Sequence, residues 1–409
     1  MKRILLLIVL LLTSPVLVQG AERISESDMF GDSASRATAD TGRGIFEEAG
    51  LEISSANPNH SEKTTQLGGT FSTQGDFSLR DDFPLKDTAV SNPNILFLYL
   101  DSKLEHDARF LVRARAFYDP TGTAGGGFGN LSNPYGSGGN KNVKMSLQEL
   151  KYSANLDQKI FLTVGRQKVK YGASRFFNPT DFLNLQALNF FLPSDERPGV
   201  DMVKAHIPSG VSNFYAAKMA GNLASSGNPA GSYFRGEVAY DGGGEFLGGG
   251  EMSLSGYFPR HQRARAGFDI SQAVGDYDIY FEGATGKNSA GDWKSVYSLG
   301  AGRDIRYGDR ASNILSLWGE LFYAKAVAEY GIFSFSLPEP ANLKDITVSN
   351  TTLYSLLDKS ALSRLNLVYT ITPEISGMVY AAAHLGRRGG VFHLPGQVAD
   401  VGGRLDFNF

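Results

Sequence analysis

The chain ends in Val401-Gly-Gly-Arg-Leu-Asp-Phe-Asn-Phe409, and the alternation in that segment limits what the protein can fold into more than any other feature. On an extended strand successive side chains leave opposite faces. Val401, Gly403, Leu405, Phe407 and Phe409 therefore share one side, and Gly402, Arg404, Asp406 and Asn408 the other. One face suits an apolar surrounding and the other suits water. Such a strand fits a wall with lipid outside and water inside.

The opposite end of the chain agrees. Lys2 and Arg3 precede an apolar run from Ile4 to Leu12, and Val18-Gln-Gly20 before Ala21 offers a cleavage site. This pattern predicts a secretory signal over residues 1–20. Nothing downstream approaches the roughly 20 consecutive apolar residues of a spanning helix, so any spanning is expected from strands, which satisfy their backbone groups by pairing.

Hydrophobic residues make up 42% of the chain and the mean hydropathy is −0.18. In a barrel such averages conceal alternating lipid-facing and water-facing residues. The 48 glycines, 27 phenylalanines and 18 tyrosines suit turns, strands and interfacial aromatic girdles. Removing Lys2 and Arg3 with the signal takes the formal charge from −3 to −5, a mild and mixed balance that gives no reason to expect nucleic acid as a partner. There is no cysteine, so neither disulfides nor thiolate sites arise.

Residues 21–63 are polar and lack sustained alternation, which predicts a segment with no core of its own, lying in the periplasm or in a lumen. From Thr64 onward candidate strands follow closely, about sixteen of them within a range of 14 to 18, giving an all-β antiparallel transmembrane barrel over 64–409. The connections test the count, because short turns and long loops should alternate between the two ends of the wall. Segments 104–107, 156–158, 208–210, 274–276 and 372–374 are short and turn-rich; 120–142, 171–198 and 330–361 are long and fall at the opposite end. Along 109–118, Arg109, Arg113 and Arg115 share the inward face. Barrels of roughly 16 to 18 strands leave an aqueous channel.

The loop 171–198, third at the outer end, is unusually apolar. Asn178 is a candidate helix cap with Pro179 at the first helical position, and Phe182, Leu185 and Leu188 follow at helical spacing. A loop wholly in water would not need this apolar stripe. It is expected to fold inward onto the wall.

Two resemblances follow from these residues. The aromatic terminus resembles the closing strand of Gram-negative outer-membrane β-barrels, which implies recognition of Leu405, Phe407 and Phe409 by the outer-membrane assembly machinery. The third loop resembles the constriction loop of general bacterial porins. The run Gly165-Arg-Gln167, Tyr171-Gly172 and Asn178-Pro-Thr-Asp181 is similar to a run in poorly characterised porin-like families, departing from it at Tyr171, where those families often carry Trp. The likeness implies an outer-membrane channel whose partners are membrane lipid, lipopolysaccharide and small solutes, with homo-oligomers open.

Candidate selectivity residues follow from charge. Arg113, Arg115, Lys151, Arg166, Lys168 and Lys170 lie on neighbouring strands or entering the loop, and Asp181, Asp195 and Glu196 lie on the loop itself. Opposed charges across a narrow passage would create a strong local field. The same groups could instead pin the loop by ion pairs, and most of the loop's phenylalanines could serve as anchors.

Other signals carry less. Glycine spacings in 125–139 have no strand-to-helix unit around them and read as a surface loop. His60, His106, His206, His261, His384 and His393 lack metal spacing, and neither His206 nor His384 has a motif-like nucleophile beside it, so no metal, cofactor or enzymatic activity is expected. The main rival to a general channel is a specific transporter of a hydrophobic or aromatic solute, plugged by residues 21–63.

Overall fold

The computed structural model describes residues 64–80, 89–105, 107–121, 143–183, 199–221, 230–242, 247–288, 291–308, 310, 313–325, 328–387, 389–393 and 397–409. Residues 1–63, on which the expected signal and N-terminal segment fall, the glycine-rich stretch 125–139 and His106 lie outside them.

Among the described residues, eighteen strands form one antiparallel sheet closed on itself. In chain order they are β1 (Thr64–Arg80), β2 (Ala89–Ser91 and Asn94–Lys103), β3 (Arg109–Tyr118), β4 (Val143–Leu156), β5 (Ile160–Gln167) and β6 (Val200–Ser209). Then come β7 (Ser212–Met219), β8 (Gly231–Tyr240), β9 (Leu247–Pro259), β10 (Arg265–Val274), β11 (Tyr277–Lys287) and β12 (Trp293–Arg306). The last six are β13 (Ile314–Ala324), β14 (Ala328–Pro338), β15 (Ile346–Ser355), β16 (Ala361–Thr372), β17 (Ile375–Leu385) and β18 (Gln397–Asn408). The two parts of β2 both pair with β1 and are parted by Asn92-Pro93, where proline has no N–H for the ladder.

The ring closes between β1 and β18, in register from Thr70 opposite Asn408 to Leu79 opposite Ala399. Two backbone bonds finish the seam: Gly69 donates to Phe409 at 2.8 Å and Phe409 donates back to Gly69 at 3.0 Å.

The polarity of the wall is inverted relative to a water-soluble protein. Met145 is 83% exposed, Leu254 68% and Val379 64%, all on the outer face, whereas Glu282 and Ser298 on the inner face are 0% exposed. In the last strand Val401 and Leu405 are exposed while Asp400 and Arg404 are buried, as the terminal alternation requires. A largely apolar outer face with a polar interior is the signature of a barrel solvated by lipid.

The count exceeds the expected sixteen by one hairpin. Residues 330–361, read from sequence as an outer loop, hold most of β14 and all of β15, joined by a turn over 339–345 that carries a short 3-10 turn, Pro340–Asn342. The alternation there is muted because outward positions of β15 are polar: Thr352 donates to Asn350 at 3.0 Å and lies 2.8 Å from the Ser363 hydroxyl of β16. Adding a whole hairpin keeps each connection at its own end of the wall, but the long outer loop read over 330–361 gives way to separations of only three residues between β13 and β14 and five between β15 and β16.

Leu299 sits mid-strand on the outer face of β12, opposite Phe281 and Leu321. Leu299→Arg should lower barrel stability by about 2–4 kcal/mol if this face meets the bilayer midplane. Urea unfolding in lipid vesicles measures it, and a cost below about 0.5 kcal/mol would contradict lipid exposure here.

Candidate functional site

Two buried carboxylates on the inner wall organise the described part of the third loop. Glu282 on β11 accepts the backbone N–H of Ser174 at 3.0 Å, that of Thr180 at 2.5 Å, and the Thr180 hydroxyl at 2.7 Å. Glu320 on β13 accepts the N–H groups of Phe176 at 2.9 Å and Phe177 at 2.7 Å, with Tyr280 Oη and Ser298 Oγ as further donors at 2.8 and 2.6 Å. A buried ionised carboxylate is tolerable only with such donors. Here the donors are mainly loop backbone.

Glycines permit the approach. Gly172 has φ 110°, and a Cβ there would stand 2.5 Å from Glu282 Oε2; on β10, a Cβ at Gly267 would stand 2.5 Å from Thr180 Cγ2. Apolar packing completes the seat. Tyr171 stacks on Tyr233 with ring centres 5.1 Å apart, Phe182 stacks on Tyr257 at 6.2 Å, and Leu183 is fully buried among side chains of β6 to β9. Phe176 joins Ile332, Leu353, Leu362 and Ala382 in a second buried cluster farther round the wall.

The expected helix start at Asn178 takes another form. Residues 179–180 and 182–183 are turns, with Asp181 N–H bonded to Asn178 O at 3.1 Å, and Asn178 Oδ1 finds no donor among the described residues. The Thr180 N–H that a cap would engage is taken by Glu282. The bond to the wall carboxylate replaces the cap.

The expected cationic patch is only partly assembled. Arg113 lies 3.2 Å from Glu149, Lys151 lies 3.0 Å from the same carboxylate, and the Lys168 N–H donates to it at 3.2 Å. Lys151 and Lys168 also line an inner-wall recess with Arg109, Lys204 and His206. Arg115 is buried against the rings of Phe97 and Phe117 at 5.7 and 5.6 Å, and Lys170 donates to Arg175 O at 3.3 Å. Arg166 departs most. It pairs bidentately with Asp201 at 2.9 and 2.7 Å, and Asp201 shares its face of β6 with the exposed Val203 and Ile207. The common inward face expected for Arg166, Lys168 and Lys170 fails because β5 ends at Gln167 and Gly165 carries φ 117°.

Asp181 is buried beside β8, within electrostatic range of Tyr233, and Asp195 and Glu196 lie outside the described residues. Sequence reasoning turned Arg109 inward without placing it in the site, and it missed Glu149, Glu282 and Lys204. Alternation could have turned them inward, and Glu149 has Lys151 two residues away, but the partners of Glu282 lie more than 100 positions off in the chain.

Both candidate histidines are engaged by neighbours on the wall. His384 has Nε2 2.7 Å from Asp400 and Nδ1 2.8 Å from Phe392 O, and His206 stacks on Tyr215 with Nε2 2.9 Å from Asn213.

Two outer loops are latched together by Asp358, which accepts the N–H groups of Val391 at 2.6 Å and Ser360 at 2.9 Å and the Ser360 hydroxyl at 2.6 Å. Burial pushes this carboxyl up, but the bonds from Ser360 and Val391 outweigh it and hold the group well below the usual carboxylate range.

No family model and no curated protein matches the chain. Solved structures do. A BenF-like porin from Pseudomonas fluorescens Pf-5 aligns with TM-score 0.55 at 10% identity, covering 84% of this chain and 98% of that one. Acinetobacter baumannii OccAB1 aligns with TM-score 0.54 at 9% identity, covering 84% and 96%. Pseudomonas aeruginosa OccK2 (OpdF), solved in complex with glucuronate, gives 0.54 at 10% identity, covering 84% and 98%. At such identities the likeness is one of fold: the chain has the barrel fold of these porins.

Two outcomes are expected. Replacing both clamps, Glu282→Gln and Glu320→Gln, presents amide N–H groups to backbone donors and should free the loop, raising single-channel conductance; unchanged conductance would contradict the clamp. Because a depressed carboxyl pKa stabilises above the ordinary value and is lost only as pH falls through the folded one, the Asp358 latch should survive at pH 4. Asp358→Asn should release it at pH 7, read as faster hydrogen exchange at the Val391 amide, whereas equal exchange in both proteins would rule the latch out.

Proposed function

We propose that the protein is an outer-membrane channel through which small polar or charged solutes diffuse passively, with the loop 171–198 narrowing the lumen. The observation that carries this reading is the clamping of loop residues Ser174 to Thr180 onto inner-wall carboxylates of a closed barrel. A segment so held occupies space that 18 strands would otherwise leave to water.

The recess lined by Arg109, Lys151, Lys168, Lys204 and His206 also holds Asp107, and Asp101 pairs with Arg109 at 2.8 Å, so beside Glu149 the balance of charge stays slightly positive. A low-dielectric wall focuses such a field and favours anions. The glucuronate held by OccK2, a carboxylated sugar, is a small anion of a size suited to this reading. Residues 1–20 act as the export signal, Leu405, Phe407 and Phe409 as the assembly signal, and lipopolysaccharide-bearing lipid as the surrounding phase. Asp195 and Glu196 belong to the narrowing loop in this reading, and nothing in it calls for catalysis.

Lys151→Gln and Lys168→Gln together should lower anion preference. The reversal potential under a salt gradient should move toward the cation side, and the shift should shrink near 1 M salt, where the Debye length is roughly 3 Å. An unchanged potential at low salt would reject the electrostatic role while leaving a steric one.

A further inference from the structure

Inner walls of water-filled barrels are polar, yet one sector of this wall carries a row of aromatic rings that seats the loop and is left partly exposed. The anchor is Phe176, buried with Ile332, Leu353, Leu362 and Ala382. Around it Phe177, Trp318, Tyr330 and Phe392 are only partly buried. Phe177 stacks on Phe322 of β13 with centroids 4.9 Å apart and on Tyr330 of β14 at 6.1 Å, and Phe322 lies 6.3 Å from Tyr330. These three rings are within 28° of parallel.

The row extends in both directions. Phe392, from the last outer loop, meets Tyr330 at 5.4 Å, and that loop is itself held by the Asp358 latch. Deeper along β13, Trp318 carries the Arg175 guanidinium over its ring at 4.2 Å and lies 6.4 Å from Tyr280. Rings from β11, β13 and β14 and from two outer loops thus run along one side of the inner wall from the loop end toward mid-height.

We propose that this row is a binding track for solutes with a flat apolar face and a polar rim, an aromatic ring or a pyranose. A flat face gains by covering exposed ring surface, while hydroxyls or a carboxylate on the rim stay in water or meet polar neighbours of the track. Successive rings at 5 to 6 Å spacing let a solute exchange one contact for the next without full rehydration. The inference rests on the channel reading and adds a solute class to it.

The test is solute block of single-channel current in planar bilayers, with 4-nitrophenyl β-D-glucoside, D-glucose, benzyl alcohol and sorbitol at equal concentration. The glucoside should interrupt the current most and sorbitol, which has no ring, least; comparing glucose with benzyl alcohol tells whether the pyranose or the aromatic face is the one bound. Phe322→Leu and Tyr330→Leu should each weaken block by the glucoside roughly threefold to tenfold, and Tyr330→Phe should restore it. Sorbitol blocking as strongly as the glucoside, or Leu variants blocking like the native protein, overturns the track. A preparation that carries no steady current removes the channel reading, and the track with it.

Discussion

Everything in this protein depends on the closure of its backbone hydrogen bonds around the ring. In hydrocarbon an unpaired N–H or C=O costs several kcal/mol, so a sheet can face lipid only when it has no free edge. Here the edge is removed where β18 pairs with β1 from Thr70 opposite Asn408 onward, and where Phe409 exchanges two bonds with Gly69. Once closed, the wall has one face for lipid and one for water. Side-chain alternation then places Leu405 outside and Arg404 inside without further instruction.

The closed wall also explains why its interior chemistry is electrostatic. Polar groups brought inside must find partners, and they do so as pairs and networks: Arg235 with Asp269 at 2.7 Å, Arg404 with Asp406 at 2.7 Å, and Arg113 and Lys151 about Glu149. Glu282 and Glu320 differ because their partners are the backbone of a loop. Pairing charge with loop backbone converts the wall's need for satisfaction into a fixed loop position. Function follows from where that loop is held.

The fold was legible because it rests on local periodicity. The terminal strand, the inward arginines of β3 and the alternation of short and long connections each depend on residues close in sequence. The hairpin of β14 and β15 escaped notice where Asn350, Thr352 and Ser363 put hydrogen-bonded polar groups on the outer face and erased the contrast. Site geometry was less legible, since it depends on register and distant partners. Gly165, with φ 117°, lies beside Arg166, which pairs with Asp201 on the outward-facing register, and the bond from Thr180 to Glu282 joins residues 102 positions apart. No local pattern encodes either.

The central claim, a closed barrel narrowed by a wall-clamped loop, is tested most directly by polymer exclusion. Single-channel current is recorded while poly(ethylene glycol) of graded size is added to either side of the bilayer. The expected result is a steady current with a sharp size cut-off well below the width of an 18-strand lumen. No steady current, or a cut-off as wide as the barrel itself, would contradict it.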